Sequence, residues 1–266
     1  MSVTGNLRKM KVVHSTPVEY SLPLGDELVP LNPLLGKRVH LHYEGEINCV
    51  HCGRKTSKSF QQGFCYPCMQ TLAQCDMCIL KPELCHYHKG TCREPEWGEK
   101  NCMIEHYVYL ALSSGIKVGI TRHTQVPTRW IDQGAVKALP LVRVMSRYDS
   151  GRVEHALKDF FHDKTNWRNM LKNIVPDIDL VTEKKQVMAD LEKILTDLNG
   201  TEITDTPVYE FEYPVLEYPA KVTSMSFDKQ VDIEGTLMGI KGQYLILDTG
   251  VINIRNHSGY KVTYKS

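Results

Sequence analysis

Apolar and polar positions alternate from Arg38 to Glu46, with Val39, Leu41 and Tyr43 on one face and His40, His42 and Glu44 on the other. That period predicts a strand within a β-rich stretch over residues 1–46, with loops where Pro and Gly gather around Pro23–Gly36. Further on, Tyr107–Thr121 reads as a hairpin turning at Ser113-Ser114-Gly115, Thr128–Gln133 as a short helix between Pro127 and Gly134, and Leu139–Val144 as a third strand. Arg152–His162 and Leu180–Leu198 have helical spacing. In the second, Leu180, Val187, Leu191, Ile194, Leu195 and Leu198 form one stripe, ended by Gly200. Strand and turn return after residue 207, with alternation in Val208–Tyr213 and Gly235–Ile240 and turns at Lys241-Gly242 and Asp248-Thr249-Gly250. A small β-barrel is expected there, with Tyr209, Phe211, Tyr213, Tyr244 and Tyr260 in its core. The fold class is α+β, divided into a β-rich segment 1–46, a Cys-rich region 47–106, a small α/β domain 107–200 and a β domain 207–266.

Composition excludes disorder of the whole chain, since 42% of the 266 residues are apolar and 24% charged. No apolar run approaches the roughly 18 residues that span a bilayer. Residues Met1–Met10 hold no apolar stretch of the secretory kind, so a cytoplasmic location without membrane contact is expected. The formal net charge of +1 hides a basic middle, where residues 107–170 carry ten Lys and Arg against five Asp and Glu. Such a segment suits an anionic partner such as a phosphate backbone.

All nine cysteines fall between Cys49 and Cys102, and three pairs, Cys49/Cys52, Cys65/Cys68 and Cys75/Cys78, have C-x-x-C spacing. An odd count in a chain without a secretory leader argues against a disulfide framework, and a redox dithiol needs only one pair. Metal binding accounts for the rest. Two tight turns, each offering two thiolates, complete a tetrahedron, so Cys49, Cys52, Cys65 and Cys68 are read as a structural zinc site of the zinc-ribbon kind. A second zinc site is expected from Cys75 and Cys78, with Cys85, His88, Cys92 and Cys102 competing for the remaining positions.

The hairpin has a favoured register. Pairing Leu112 with Ile116, Leu110 with Val118 and Val108 with Ile120 puts six apolar side chains on one face, and a slip of one residue mixes both faces. On the other face Tyr109 then lies opposite Gly119 and Lys117 opposite Ala111, leaving room above the sheet that a phosphodiester could enter. Tyr107-Val-Tyr109 followed by Lys117-Val118-Gly119-Ile120-Thr121 resembles the GIY-YIG nuclease superfamily. The combination of C-x-x-C-G, C-D-x-C-I, G-T-C-R-E-P-x-W-G and K-V-G-I-T-R-x-x-x-x-P-x-R-W-I-D-Q-G-A resembles domain of unknown function 2797 across most of the chain.

The nuclease resemblance implies roles for Arg129, for a metal-binding Glu154 and for a late Asn, Asn166 or Asn169. Glu154 would hold one Mg²⁺, Arg129 would clamp the scissile phosphate, and Tyr109 or Lys117 would activate water. Two positions depart from the pattern: Tyr107 replaces its first Gly and Lys117 its second Tyr. Arg122, Arg129 and Arg168, close to Trp130 and Trp167, together with Arg147 and Arg152, are the candidate nucleic-acid contacts, to DNA or RNA. Three functions of different classes follow: a metal-dependent nuclease, a zinc-containing nucleic-acid-binding protein that does not cut, and a structural or partner-binding protein.

Overall fold

The six apolar residues of the hairpin do choose the register. In the computed structural model, which describes residues 2–158, 160–161, 166–197 and 200–265, strands His106–Leu112 and Ile116–Arg122 pair Leu112 with Ile116, Leu110 with Val118, Val108 with Ile120 and Tyr109 with Gly119. Lys137–Val144 adds on the other side of His106–Leu112, and the short strands Thr201–Glu202 and Tyr209–Glu210 pair with it, giving a five-stranded antiparallel sheet. Val208–Tyr213 thus contributes a shorter strand than its alternation suggests. Two helices cover the apolar face, Arg147–Leu157 and Leu180–Asp197. Val153 and Leu157 from the first and Leu180, Val187, Leu191 and Leu195 from the second join Val108, Leu110, Leu112 and Leu141 in one buried core. The expected stripe of the second helix is the one that packs. The side chain of Ile194, and the whole of Leu198 and His162, lie outside the described residues.

The helix expected from Arg152 starts five residues earlier, at Arg147. Ser146 caps it, accepting the Asp149 N–H at 3.1 Å, and Gly151 lies inside it, against the turn Pro82–Leu84. A Cβ at Gly151 would stand 2.6 Å from the Glu83 nitrogen, so glycine here serves close packing and does not end the helix. Thr128–Asp132 is helical as predicted.

The chain divides into two compact units, Met1–Gln70 with Ile131–Gly134 and Phe211–Ser266, and Thr71–Trp130 with Ala135–Glu210. The sheet just described belongs to the second. In the first unit, strand Arg38–Asn48 pairs on one side with Tyr260–Lys265 and on the other with Asp232–Lys241. Ser2–Asn6 adds outside Tyr260–Lys265, and Tyr244–Leu247, Gly250–Asn253 and Ser224–Met225 continue beyond Asp232–Lys241, in a sheet of eight strands that includes Lys55–Thr56. The expected barrel is therefore corrected: among the described residues no barrel closes. Residues after 207 do not curl on themselves because two of their strands find partners in Arg38–Asn48, and the sheet remains open at Ser2–Asn6 and Ser224–Met225. A separate three-stranded sheet holds Lys11–Val13, Glu19–Leu24 and Glu27–Pro30. Among the described residues no helix is long and apolar enough to cross a membrane.

Candidate metal centres

Cys49 follows directly on strand Arg38–Asn48, and a tight turn returns the chain so that the Cys49 N–H donates to the Arg54 carbonyl at 2.8 Å and the Gly53 N–H to the Cys49 carbonyl at 2.9 Å. Gly53 takes φ of +71°, a left-handed conformation that suits glycine. The second pair arises differently: Cys65 immediately precedes helix Tyr66–Thr71, and Cys68 lies in that helix. The two arms bring all four sulfurs within 4.8 Å of one another, with Cys52 Sγ and Cys65 Sγ 3.7 Å apart. Four sulfurs held at about 2.3 Å from a tetrahedral ion are about 3.8 Å from each other. The cluster fits a structural metal such as zinc.

Its protonation chemistry agrees. Burial works against ionisation of Cys49, but the backbone amides of Cys52, Cys65 and His51 outweigh it and bring the thiol down to about 6. Cys68 is pushed up by burial and by the hydrogen bonds it makes with Cys65, Cys52 and Cys49. A divalent cation binding the four sulfurs displaces the thiol protons that remain. Cys52 is exposed while the other three are buried.

The remaining cysteines lie in the second unit. Residues 73–101 form four short helical turns and the helix Pro95–Asn101. Cys78, Cys85, Cys92 and Cys102 line one small pocket together with Asp76 and His86. Cys75 is buried but does not line it, and His88 is exposed with its ring 5.5 Å from Tyr148. Sequence reasoning missed Asp76 and His86, which group with Cys78 within 4.8 Å. It also missed a third grouping, His40, His42 and Asp232, in which both imidazoles reach the same carboxylate oxygen at 2.6 and 2.7 Å and hold that carboxyl below its usual range. The shared face of His40 and His42 is legible in the alternation. Asp232 arrives from a strand far along the chain.

The residues assigned to cleavage are placed as follows. Tyr109 is fully buried, its ring edge-on to Trp130 at 5.5 Å, and it occupies the space above Gly119. Lys117 is half-buried opposite Ala111. Glu154 is half-buried, and burial raises its carboxyl against the opposing pull of Lys158, Arg147 and Arg129, with Glu83 adding to the rise. Asn166 is exposed and caps helix Trp167–Leu171, accepting the N–H groups of Arg168 and Asn169 at 2.9 and 3.3 Å. Of the candidate phosphate contacts, Arg152 and Arg168 are exposed and lie over the rings of Tyr148 and Trp167, at 5.8 and 4.3 Å. Arg122 donates to Asn101 and Arg147 to the Ile79 carbonyl, both turned inward.

A family model described as a protein of unknown function, DUF2797, matches residues 36–262. No curated protein and no solved structure matches the chain.

Proposed function

The chain belongs to the DUF2797 family, and we propose that it is a zinc-containing protein that binds nucleic acid through its second unit without cutting it. The observation that carries this reading is the pair of exposed arginines set over aromatic rings, Arg152 over Tyr148 at 5.8 Å and Arg168 over Trp167 at 4.3 Å, in the most basic part of the sequence. An arginine beside an aromatic ring offers charge for a phosphate next to a surface on which a base can stack. Zinc at Cys49, Cys52, Cys65 and Cys68 has a folding role, because four thiolates leave no coordination position open to a substrate. The burial of Tyr109 speaks against it as the group that activates water.

Fluorescence anisotropy against single- and double-stranded DNA and RNA tests the proposal. Affinity falls about tenfold or more between about 50 and about 200 mM salt, the effect of two or more phosphate contacts. Arg152→Ala with Arg168→Ala weakens binding while leaving the melting temperature in place. A flat salt response, or no binding, favours the partner-binding alternative.

A second reading, Mg²⁺-dependent cleavage, is favoured by the shared neighbourhood of Glu154, Arg129 and Arg147. Incubating the same nucleic acids with Mg²⁺ or Mn²⁺ separates the two. Cleavage by the wild type that is lost in Glu154→Ala establishes the nuclease, and intact substrate throughout establishes the module that only binds.

A further inference from the structure

Arg147 opens the helix Arg147–Leu157, yet its guanidinium is directed inward: one nitrogen donates to the Ile79 carbonyl at 2.6 Å, and its Nε is buried with no hydrogen-bond partner. Among the described residues it forms no ion pair with a carboxylate, and neither does Arg122. Glu154 feels the field of Arg147, but at more than ion-pair distance. Burial disfavours the charged form of both arginines. Both are half-buried, and partly desolvated cations with no carboxylate in ion-pair reach gain from negative charge nearby.

Thiols supply the candidates. The Arg147 N–H donates to the Cys102 carbonyl at 2.7 Å, and Arg122 lies near Cys102 and Arg147 near Cys78. Cys102 and Cys78 share their small pocket with Cys85 and Cys92. Left as thiols, the four are neutral and answer nothing. Ligated to a divalent ion, four thiolates carry two net negative charges, the number that two guanidinium groups neutralise. We infer that Cys78, Cys85, Cys92 and Cys102 hold a second zinc-type ion as a tetrathiolate, with Arg147 and Arg122 as its counter-charges.

The surroundings agree. Met77, Leu80 and Leu84 are exposed, so this stretch of short turns has little core of its own and needs another fastening. Gly98 lets helix Pro95–Asn101 lie against the Tyr87 ring, 2.9 Å from where a Cβ would stand, with Cys92 Sγ next at 3.3 Å. Asp76 is already engaged: one oxygen accepts the Cys78 N–H at 3.0 Å and the other pairs with Arg93 at 2.7 Å. His86 has its Nδ1 2.8 Å from the Thr91 hydroxyl. The four sulfurs are not gathered within 4.8 Å of one another as those of the first centre are, so the ion would draw them together on binding. This inference stands whether or not the protein binds nucleic acid.

Elemental analysis of the purified full chain tests it, with X-ray absorption at the zinc edge reporting the ligands without any substitution. The expected result is two zinc ions per chain, each in an all-sulfur shell. Cys78→Ser with Cys92→Ser lowers the count to one, whereas Cys75→Ser and His86→Gln keep two. Arg147→Met leaves the count at two but speeds release of one ion to a chelator about tenfold. One zinc per wild-type chain overturns the proposal, and so does an imidazole or carboxylate in the average shell. Loss of an ion in Cys75→Ser or His86→Gln overturns this ligand set.

Discussion

Gly119 lacks a side chain because Tyr109 fills its space: a Cβ there would stand 2.6 Å from the phenol oxygen. Gly119→Ala therefore destabilises the protein by about 1–3 kcal/mol through overpacking, measurable by urea denaturation. The same contact explains the limit of reading the hairpin from sequence. Register and facing followed from period-two burial, and Gly119 was legible as an opening above the sheet. What enters the opening depends on where Trp130 comes to rest, which no local pattern states. His106 offers a second test at this scale. Burial holds its imidazole neutral, down to about 4, against the Ile104 carbonyl that favours protonation. Because the unfolded state takes up the proton first, its contribution is complete above about pH 6.5 and is lost as pH falls from there toward 4, to a total of about 3 kcal/mol. Denaturation at stepped pH shows this slope in the wild type, and the difference from His106→Gln isolates it from other acid effects.

Helix Arg147–Leu157 shows how an element departs from its propensities. Alanine is a better helix former than glycine by about 1 kcal/mol, yet Gly151→Ala lowers stability here because the new methyl meets the turn Pro82–Leu84. A rise in melting temperature in that variant would contradict the packing described. Ser146→Ala removes the cap and costs about 1 kcal/mol in the same assay. Helical spacing placed the start of this helix at Arg152, and only the contact with Glu83 reveals Gly151 as an interface within it. The stripe of Leu180–Asp197, by contrast, was legible because one helical period carries both its extent and its buried face. Val208–Tyr213 alternates over its full length but finds a partner only at Tyr209–Glu210.

At the scale of the whole molecule, spacing along the chain announced the four-sulfur centre at Cys49, Cys52, Cys65 and Cys68, since all its ligands come from two local turns. The grouping of His40 and His42 with Asp232, and the pairing that leaves the sheet open, join residues about 190 positions apart and were illegible for that reason. Stripping metal with a chelator that competes for zinc should expose residues 49–68 to limited proteolysis, and Cys49→Ser with Cys52→Ser should do so without chelator. Cleavage sites unchanged by either treatment would deny that centre its folding role. The interleaved order of the large sheet, Ser2–Asn6, Tyr260–Lys265, Arg38–Asn48, Asp232–Lys241, also governs the life of the nascent chain. Ribosomes add about 5–20 residues per second, so Arg38–Asn48 emerges roughly 10–40 s before either neighbour exists. All strands of the five-stranded sheet have been made by Glu210, and that unit can fold while the other waits with an unpaired strand open to aggregation. His40, His42 and Glu44, lined along one face of that waiting strand, keep half of it hydrophilic until its partners arrive.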